Sequence, residues 1–151
     1  MSDALTYAQN ISSSAEIHGH LRHCDAHFLP RLSDRVDLAQ YADKLGLYSE
    51  RFEAWADSEL VGLVAVYVND KEKQLAHISN VSVAPRWQRR QIAKNLMLSA
   101  LEHTQSLHFP VIRLTVDKRS EGAVALYVRL GFKVFESAGS LLSMQKALTR
   151  K

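Results

Sequence analysis

Four cations crowd one short stretch of this chain: Arg86, Arg89, Arg90 and Lys94 stand within Pro85-Arg86-Trp87-Gln88-Arg89-Arg90-Gln91-Ile92-Ala93-Lys94. Charge at that density suits an anion, and a phosphate or diphosphate is the anion that a helix start holds well. Two other residues have the chemistry to move protons. The phenol of Tyr127, with an ordinary pKa near ~10, keeps its proton at neutral pH. The imidazole of His77, titrating near ~6.5, fits a proton acceptor acting directly or through water. Each has a plainer reading beside it, a core tyrosine on an apolar helix stripe and a surface or structural histidine.

A third group fails as a site. His18, His20, His23 and His27 cluster before Phe28, and His23 with His27 at i, i+4 beside Cys24 or Asp25 has metal-ligand spacing. No H-E-x-x-H order or second ligand pair accompanies them, so no metal is assigned. Cys24 has no nucleophile signature, and the glycines form neither a dinucleotide nor a P-loop pattern.

The elements that must hold these residues follow from periodicity. Residues 4–10 form a short strand, Ser12-Ser13-Ser14 with Glu16 opens a helix running to about Phe28, and Asp37 caps a second helix ending near Gly46. Phe52 to Ala56 and Leu60 to Val68 pair as a hairpin around Asp57-Ser58-Glu59. After the polar turn Asn69-Asp70-Lys71-Glu72-Lys73, the strand from Gln74 to Ala84 leads to Pro85, which stops the ladder. A helix then runs from about Gln88 to Leu107, with Ile92, Leu96, Met97, Ala100, Leu101 and Thr104 on one face. Val111 to Val116 is a β-branched strand, Ala123, Leu126, Tyr127 and Leu130 line a last helix ending at Gly131, and Lys133 to Ser137 with Leu141 to Ala147 make a closing hairpin. The strand-helix-strand crossover makes the strands ending near Val83 and Val116 parallel. Alternation places His77 and Ser79 on one face and Asn80 on the other.

Two motifs on this frame resemble the GNAT (Gcn5-related N-acetyltransferase) superfamily. Val83, Pro85, Gln88, Arg89, Arg90, Gln91, Ile92 and Ala93 follow V-x-P-x-x-[QR]-x-x-G-x-[GA]. Ser120, Ala123, Leu126, Tyr127, Gly131 and Phe132 follow N-x-x-A-x-x-L-Y-x-x-x-G-F. The likeness is close over the C-terminal half and one of layout over the rest. It implies an α/β (α+β mixed) fold with a central mixed sheet of six to seven strands, about four flanking helices and splayed parallel central strands, in one domain over residues 1–151.

The same resemblance implies acetyl-CoA as cofactor. Its pantetheine arm would bond the backbone at Val81 and Val83. Its diphosphate would meet Gln88, Arg89, Arg90, Gln91, Ile92, Ala93 and Lys94, with Ser120 and Ala123 also against it. Tyr127 would protonate the departing sulfur. His77 falls where many relatives place a glutamate. Gln91 and Ser120 depart from the usual glycine and asparagine, which leaves room for a non-catalytic CoA-binding or regulatory module as the alternative. The acceptor pocket would come from the N-terminal half, with Phe28, Arg31, Arg35, Tyr41 and Asn80 as candidate contacts. The acceptor is then a primary amine of a small molecule or peptide, its identity open, and homodimers are common in the family.

Composition sets bounds. At 151 residues, +3 formal charge and 46% hydrophobic content, the chain fits one soluble domain. The pI near 9.1 suits an acidic partner such as a phosphorylated cofactor. Nucleic-acid binding would need a broad basic stripe with interleaved aromatics, whereas the cations gather at one helix start. The first residues, Met1 to Thr6, lack a basic n-region and an apolar h-region, the run from Leu60 to Val68 is too short to cross a bilayer, and one cysteine fits a reducing compartment. A cytoplasmic protein with no membrane partner is expected.

Overall fold

The computed structural model describes residues 4–70, 72 and 74–148; Lys71 and Lys73 of the polar turn lie outside that set. In chain order the elements are β1 (Thr6–Gln9), α1 (Ser14–Cys24), α2 (Leu38–Tyr48), β2 (Glu50–Ala56), β3 (Glu59–Tyr67) and β4 (Leu75–Val83). There follow α3 (Ile92–Ser106), β5 (Val111–Asp117), α4 (Glu121–Arg129), β6 (Lys133–Ala138) and β7 (Leu141–Ala147). The strands form one sheet in the order β1-β2-β3-β4-β5-β7-β6. Neighbours are antiparallel except β4 and β5, which are parallel. This is the expected meander, crossover and closing hairpin.

Local chemistry sets the helix starts. Ser13 and Glu16 cap α1 reciprocally, the Ser13 side chain accepting from the Glu16 amide and the Glu16 carboxylate from the Ser13 amide. Asp37 accepts from the Gln40 amide at the start of α2. The first helix ends earlier than Phe28, because the chain tightens into a 3-10 turn at Asp25–His27. The third helix begins at Ile92 rather than Gln88. A 3-10 turn occupies Pro85–Trp87, and Gln91 takes a left-handed conformation that right-handed helix geometry does not continue.

The sheet separates two cores. On one face α3 and α4 pack through Ile92, Leu96, Met97, Ala100 and Tyr127 against Ala54, Val64, Val66, Ala76 and Ile78. On the other, α1 and α2 pack through Ile17, Leu21, Ala42 and Leu45 against Leu60, Leu63 and Ala65. Gly62 permits a close approach on the first face. A Cβ there would meet Ile92 Cγ2 at 2.8 Å and Leu96 Cδ1 at 3.2 Å. The first turn of α3 therefore lies directly on β3.

One expectation about faces is corrected. Ala65 pairs with Asn80 but Val66 with Ile78, so Ser79 is an extra residue and the alternation of β4 changes phase there. His77, Asn80 and Ser82 consequently oppose Tyr67, Ala65 and Leu63 on the α1/α2 face, while Ile78, Val81 and Val83 belong to the α3/α4 face. Asn80 thus shares a face with His77, contrary to strict alternation.

Candidate active site

The parallel pair is brief. β4 and β5 stay in register only at Leu75 with Val111, Ala76 with Ile112 and His77 with Arg113, and beyond His77 they part. Around that fork lies a cleft of about 480 Å³. Its walls come from both faces of the sheet: Ala123 and Tyr127 from the α3/α4 side, Cys24, Phe28 and Tyr41 from the α1/α2 side. The gap therefore runs through the sheet, and two molecules entering from opposite faces would meet inside it.

On the α3/α4 side the backbone is prepared for an anion. The Ala84 amide donates to the Val61 carbonyl of β3 at 2.8 Å, so strand alternation turns the main-chain groups of Val83 and Val81 toward the gap. Gln88 Nε2 donates to the Val83 carbonyl at 3.2 Å, fixing the turn against the strand end. Arg89 and Gln91 both hold left-handed conformations, φ 66° and 62°, and successive backbone turns of this kind make an amide-lined concavity. The first helical bond of α3 runs from the Asn95 amide to the Gln91 carbonyl at 3.0 Å. The amides of Ile92, Ala93 and Lys94 accordingly have no partner within the helix. The donor set fits a diphosphate.

The cations around this turn are not equivalent. The guanidinium groups of Arg86 and Arg90 lie over the Trp87 ring at 5.6 and 4.8 Å from its centroid, and Trp87 is buried. All four are exposed, and among the described residues Arg89 and Lys94 stack on no ring. Ile92 is a core residue, so its side chain packs and only its amide is available. Of this stretch, Gln88 alone lines the cleft with its side chain.

Tyr127 projects from α4 and is 5% exposed. Burial pushes its phenol well above the ordinary value, which keeps the proton in place. Tyr127 borders the cleft, and its hydroxyl bonds to no side chain among the described residues. Ser120 is the N-cap residue of α4, but its side chain makes no capping bond and borders the cleft instead. The nearby Asp117 carboxylate is fully engaged. It accepts from Arg119 Nε at 2.9 Å, Arg119 Nη2 at 2.8 Å, the Arg119 amide at 2.9 Å and Ser140 Oγ at 2.9 Å. The Arg119 bonds hold its pKa well below the usual carboxylate range.

On the α1/α2 side His77 stands at the fork, solvent-accessible at its edge, and desolvation lowers its pKa below the ordinary imidazole value. Tyr41 Oη donates to the Ser79 carbonyl at 3.0 Å and lies 2.6 Å from Ser79 Oγ, so α2 is tied to the bulge in β4. Phe28, Arg35, Tyr41 and Asn80 border the cleft; Arg31 is exposed and does not.

A buried chain that sequence reasoning missed leads into the same wall. His20 Nδ1 is 3.2 Å from the Leu60 carbonyl, His20 Nε2 is 2.8 Å from Ser82 Oγ, and Ser82 Oγ is 2.7 Å from Asn80 Oδ1. These three contacts need three protons, and a neutral imidazole with one hydroxyl brings two. The third comes from an imidazolium or from a half-turn of the Asn80 amide that presents its N–H to Ser82. Desolvation lowers His20 to about 4, so at neutral pH the imidazole is neutral and the half-turned amide is the arrangement that satisfies all three contacts. The signal for His20 is its place with Ile17, Leu21 and Cys24 on one helical stripe, all buried.

Cys24 also borders the cleft, yet burial pushes its thiol up to about 12 and keeps it protonated. His23 and His27 are exposed, and among the described residues no three His, Cys, Asp or Glu side chains are grouped to hold a metal ion. No helix of the described residues is long and apolar enough to cross a membrane.

Comparison with known proteins agrees with this geometry. The family model described as "Acetyltransferase (GNAT) family" matches residues 15–132. An uncharacterized N-acetyltransferase, YvbK, of Bacillus subtilis is 33% identical over 86 residues, 56% of this chain and 54% of the relative. The mycothiol acetyltransferase of Nocardiopsis dassonvillei is 37% identical over 57 residues, 38% of this chain and 17% of the relative. These matches thus span about half, or less, of the relatives' own length. Among solved structures, the PaiA N-acetyltransferase of Thermoplasma acidophilum in complex with coenzyme A superimposes with a TM-score of 0.73 at 18% identity, over 94% of this chain and 99% of the other. The ribosomal-protein-S18-alanine N-acetyltransferase of Escherichia coli does so at 0.75 and 14%, over 98% and 96%. At these identities the two structures speak for the fold.

Proposed function

Because this chain belongs to the GNAT acetyltransferase family, we propose that it transfers an acetyl group from acetyl-CoA to a primary amine of a small molecule or peptide, by direct attack within a ternary complex. The through-sheet gap beyond His77 and Arg113 carries this reading, since it lets two ligands meet end to end from opposite faces. When bound, acetyl-CoA supplies the activated thioester.

The chain's own groups divide the remaining work. Unpartnered amides from Ile92 to Lys94, with the exposed Arg89, bind the diphosphate. The inward backbone groups of Val81 and Val83 hold the pantetheine arm, and an amide aimed at the thioester oxygen stabilises charge that develops there. Ser120 and Ala123 close the wall beside it. Tyr127 holds a proton at Oη for the sulfur, and the desolvation that raises its pKa also raises that of a thiolate leaving into the same cleft.

An alkylammonium with pKa near ~10.4 must lose a proton before its nitrogen can attack. His77 accepts it, directly or through water, and its lowered pKa keeps the imidazole neutral at pH 7. Asn80, Tyr41 and Phe28 shape the approach of the amine. Direct attack is supported by the lining itself: Cys24 is held as a thiol, and the Ser82 hydroxyl is engaged with His20 and Asn80. Amine-dependent release of coenzyme A thiol tests the proposal. Coenzyme A binding without such release under any amine would leave a non-catalytic module.

A further inference from the structure

The charge on the acceptor wall selects a class of amine. Among the described residues that border the cleft, Asp117 is the one carboxylate, and its oxygens are occupied by Arg119 and Ser140. Arg35 is the one residue there with a permanent positive charge, and it forms no ion pair with any described residue. A polycationic acceptor would find no free carboxylate in this wall. An acceptor with a negative group would find an unpaired guanidinium.

Arg35 is also held in place at its backbone. It follows the 3-10 turn Leu32–Asp34, its amide donates to the Leu32 carbonyl at 2.9 Å, and Leu32 is buried in the α1/α2 core. It borders the same cleft as Tyr41, whose hydroxyl sits on Ser79 beside His77 and Asn80. The guanidinium therefore belongs to the acceptor side of the gap, away from the diphosphate turn on the opposite face.

Resting on the acetyl-transfer reading, we propose that the acceptor is an amine bearing a carboxylate or comparable anionic group, and that Arg35 binds that group. A planar guanidinium accepts a carboxylate through two parallel N–H bonds, which orients the amine at the far end of the acceptor as well as attracting it. Arg35 is on this account a specificity residue.

The test compares matched pairs, each a free amino acid and its carboxamide, at equal free-base concentration, with spermidine as a polycationic control and thiol release as readout. The expected kcat/KM favours the carboxylate member by at least about tenfold, the scale of one charge-assisted bond. Arg35→Gln should bring that ratio toward unity through KM, and Arg35→Lys should restore part of it. Carboxamides or spermidine reacting as well as the carboxylates, or an unchanged ratio in Arg35→Gln, overturns the proposal. Calorimetry with coenzyme A separates the two levels: cofactor binding with every carboxylate-bearing amine inert overturns the acceptor class alone, whereas no cofactor binding overturns the functional reading beneath it.

Discussion

His77 and Arg113 are the last residues at which the two parallel strands pair, so the sheet divides at the imidazole. That position gives His77 a cleft on one side and packed sheet behind it. Desolvation lowers its pKa, so half-protonation falls below the ordinary histidine value. As the proposed base, His77 is active when neutral; activity should therefore fall on acidification with a midpoint below the ordinary imidazole value, after correction for the fraction of free amine. His77→Gln should lower kcat by about a hundredfold and remove this acid limb. A pH profile of kcat that keeps the limb in the variant would assign it to another group.

In the proposed reaction Tyr127 acts through its hydroxyl alone, because its ring is core packing beside Phe132 at 6.0 Å between centroids. Tyr127→Phe removes the proton and leaves the ring. Turnover should fall by about two orders of magnitude with the coenzyme A dissociation constant unchanged. Steady-state kinetics beside calorimetry give both numbers. Equal turnover in the two proteins would take the acid role from this residue.

Gln91 stands in left-handed backbone, where a side chain costs roughly 1–2 kcal/mol relative to glycine. Gln91→Gly should raise stability by about 1 kcal/mol, roughly 2–4 °C in melting temperature for a chain of this size, and should not weaken coenzyme A binding. Gly62→Ala presses in the opposite direction on the same turn. Its Cβ meets Ile92 at 2.8 Å, so α3 must shift, and both melting temperature and cofactor affinity should fall. Cofactor affinity unmoved by a destabilising Gly62→Ala would detach the diphosphate site from the first turn of α3.

His20 gives the fold an acid-sensitive link. Its pKa is near 4 in the native chain against about 6.5 unfolded, so the unfolded chain binds the proton first. The link costs nothing above about pH 6.5, and stability should decline between 6.5 and 4 by about 3 kcal/mol. Denaturant titrations across this window should show the decline in the natural chain and a shallower one in His20→Gln. Identical slopes would mean that His20 is not the titrating group.

The sequence reading succeeded where a single residue type has one structural consequence. Pro85 ends a strand, Ser13 with Glu16 starts a helix, and Ala123, Leu126, Tyr127 and Leu130 can only be one stripe. It failed where tertiary fit decides. Nothing in Ile78-Ser79-Asn80 marks a bulge, which is fixed by how Ala65 and Val66 meet β4, and that one extra residue moved Asn80 to the face of His77. The turn at Arg89 and Gln91 carries no glycine to announce positive φ. Arg31 and Arg35 look alike in sequence, and only the 3-10 turn between them decides which one reaches the cleft.

The most direct test of the whole account is a free-thiol assay with purified protein, acetyl-CoA and a panel of primary amines. Thiol release that requires an amine and drops about a hundredfold in Tyr127→Phe is the result expected. A folded protein that releases no thiol above the enzyme-free rate with any amine would contradict it.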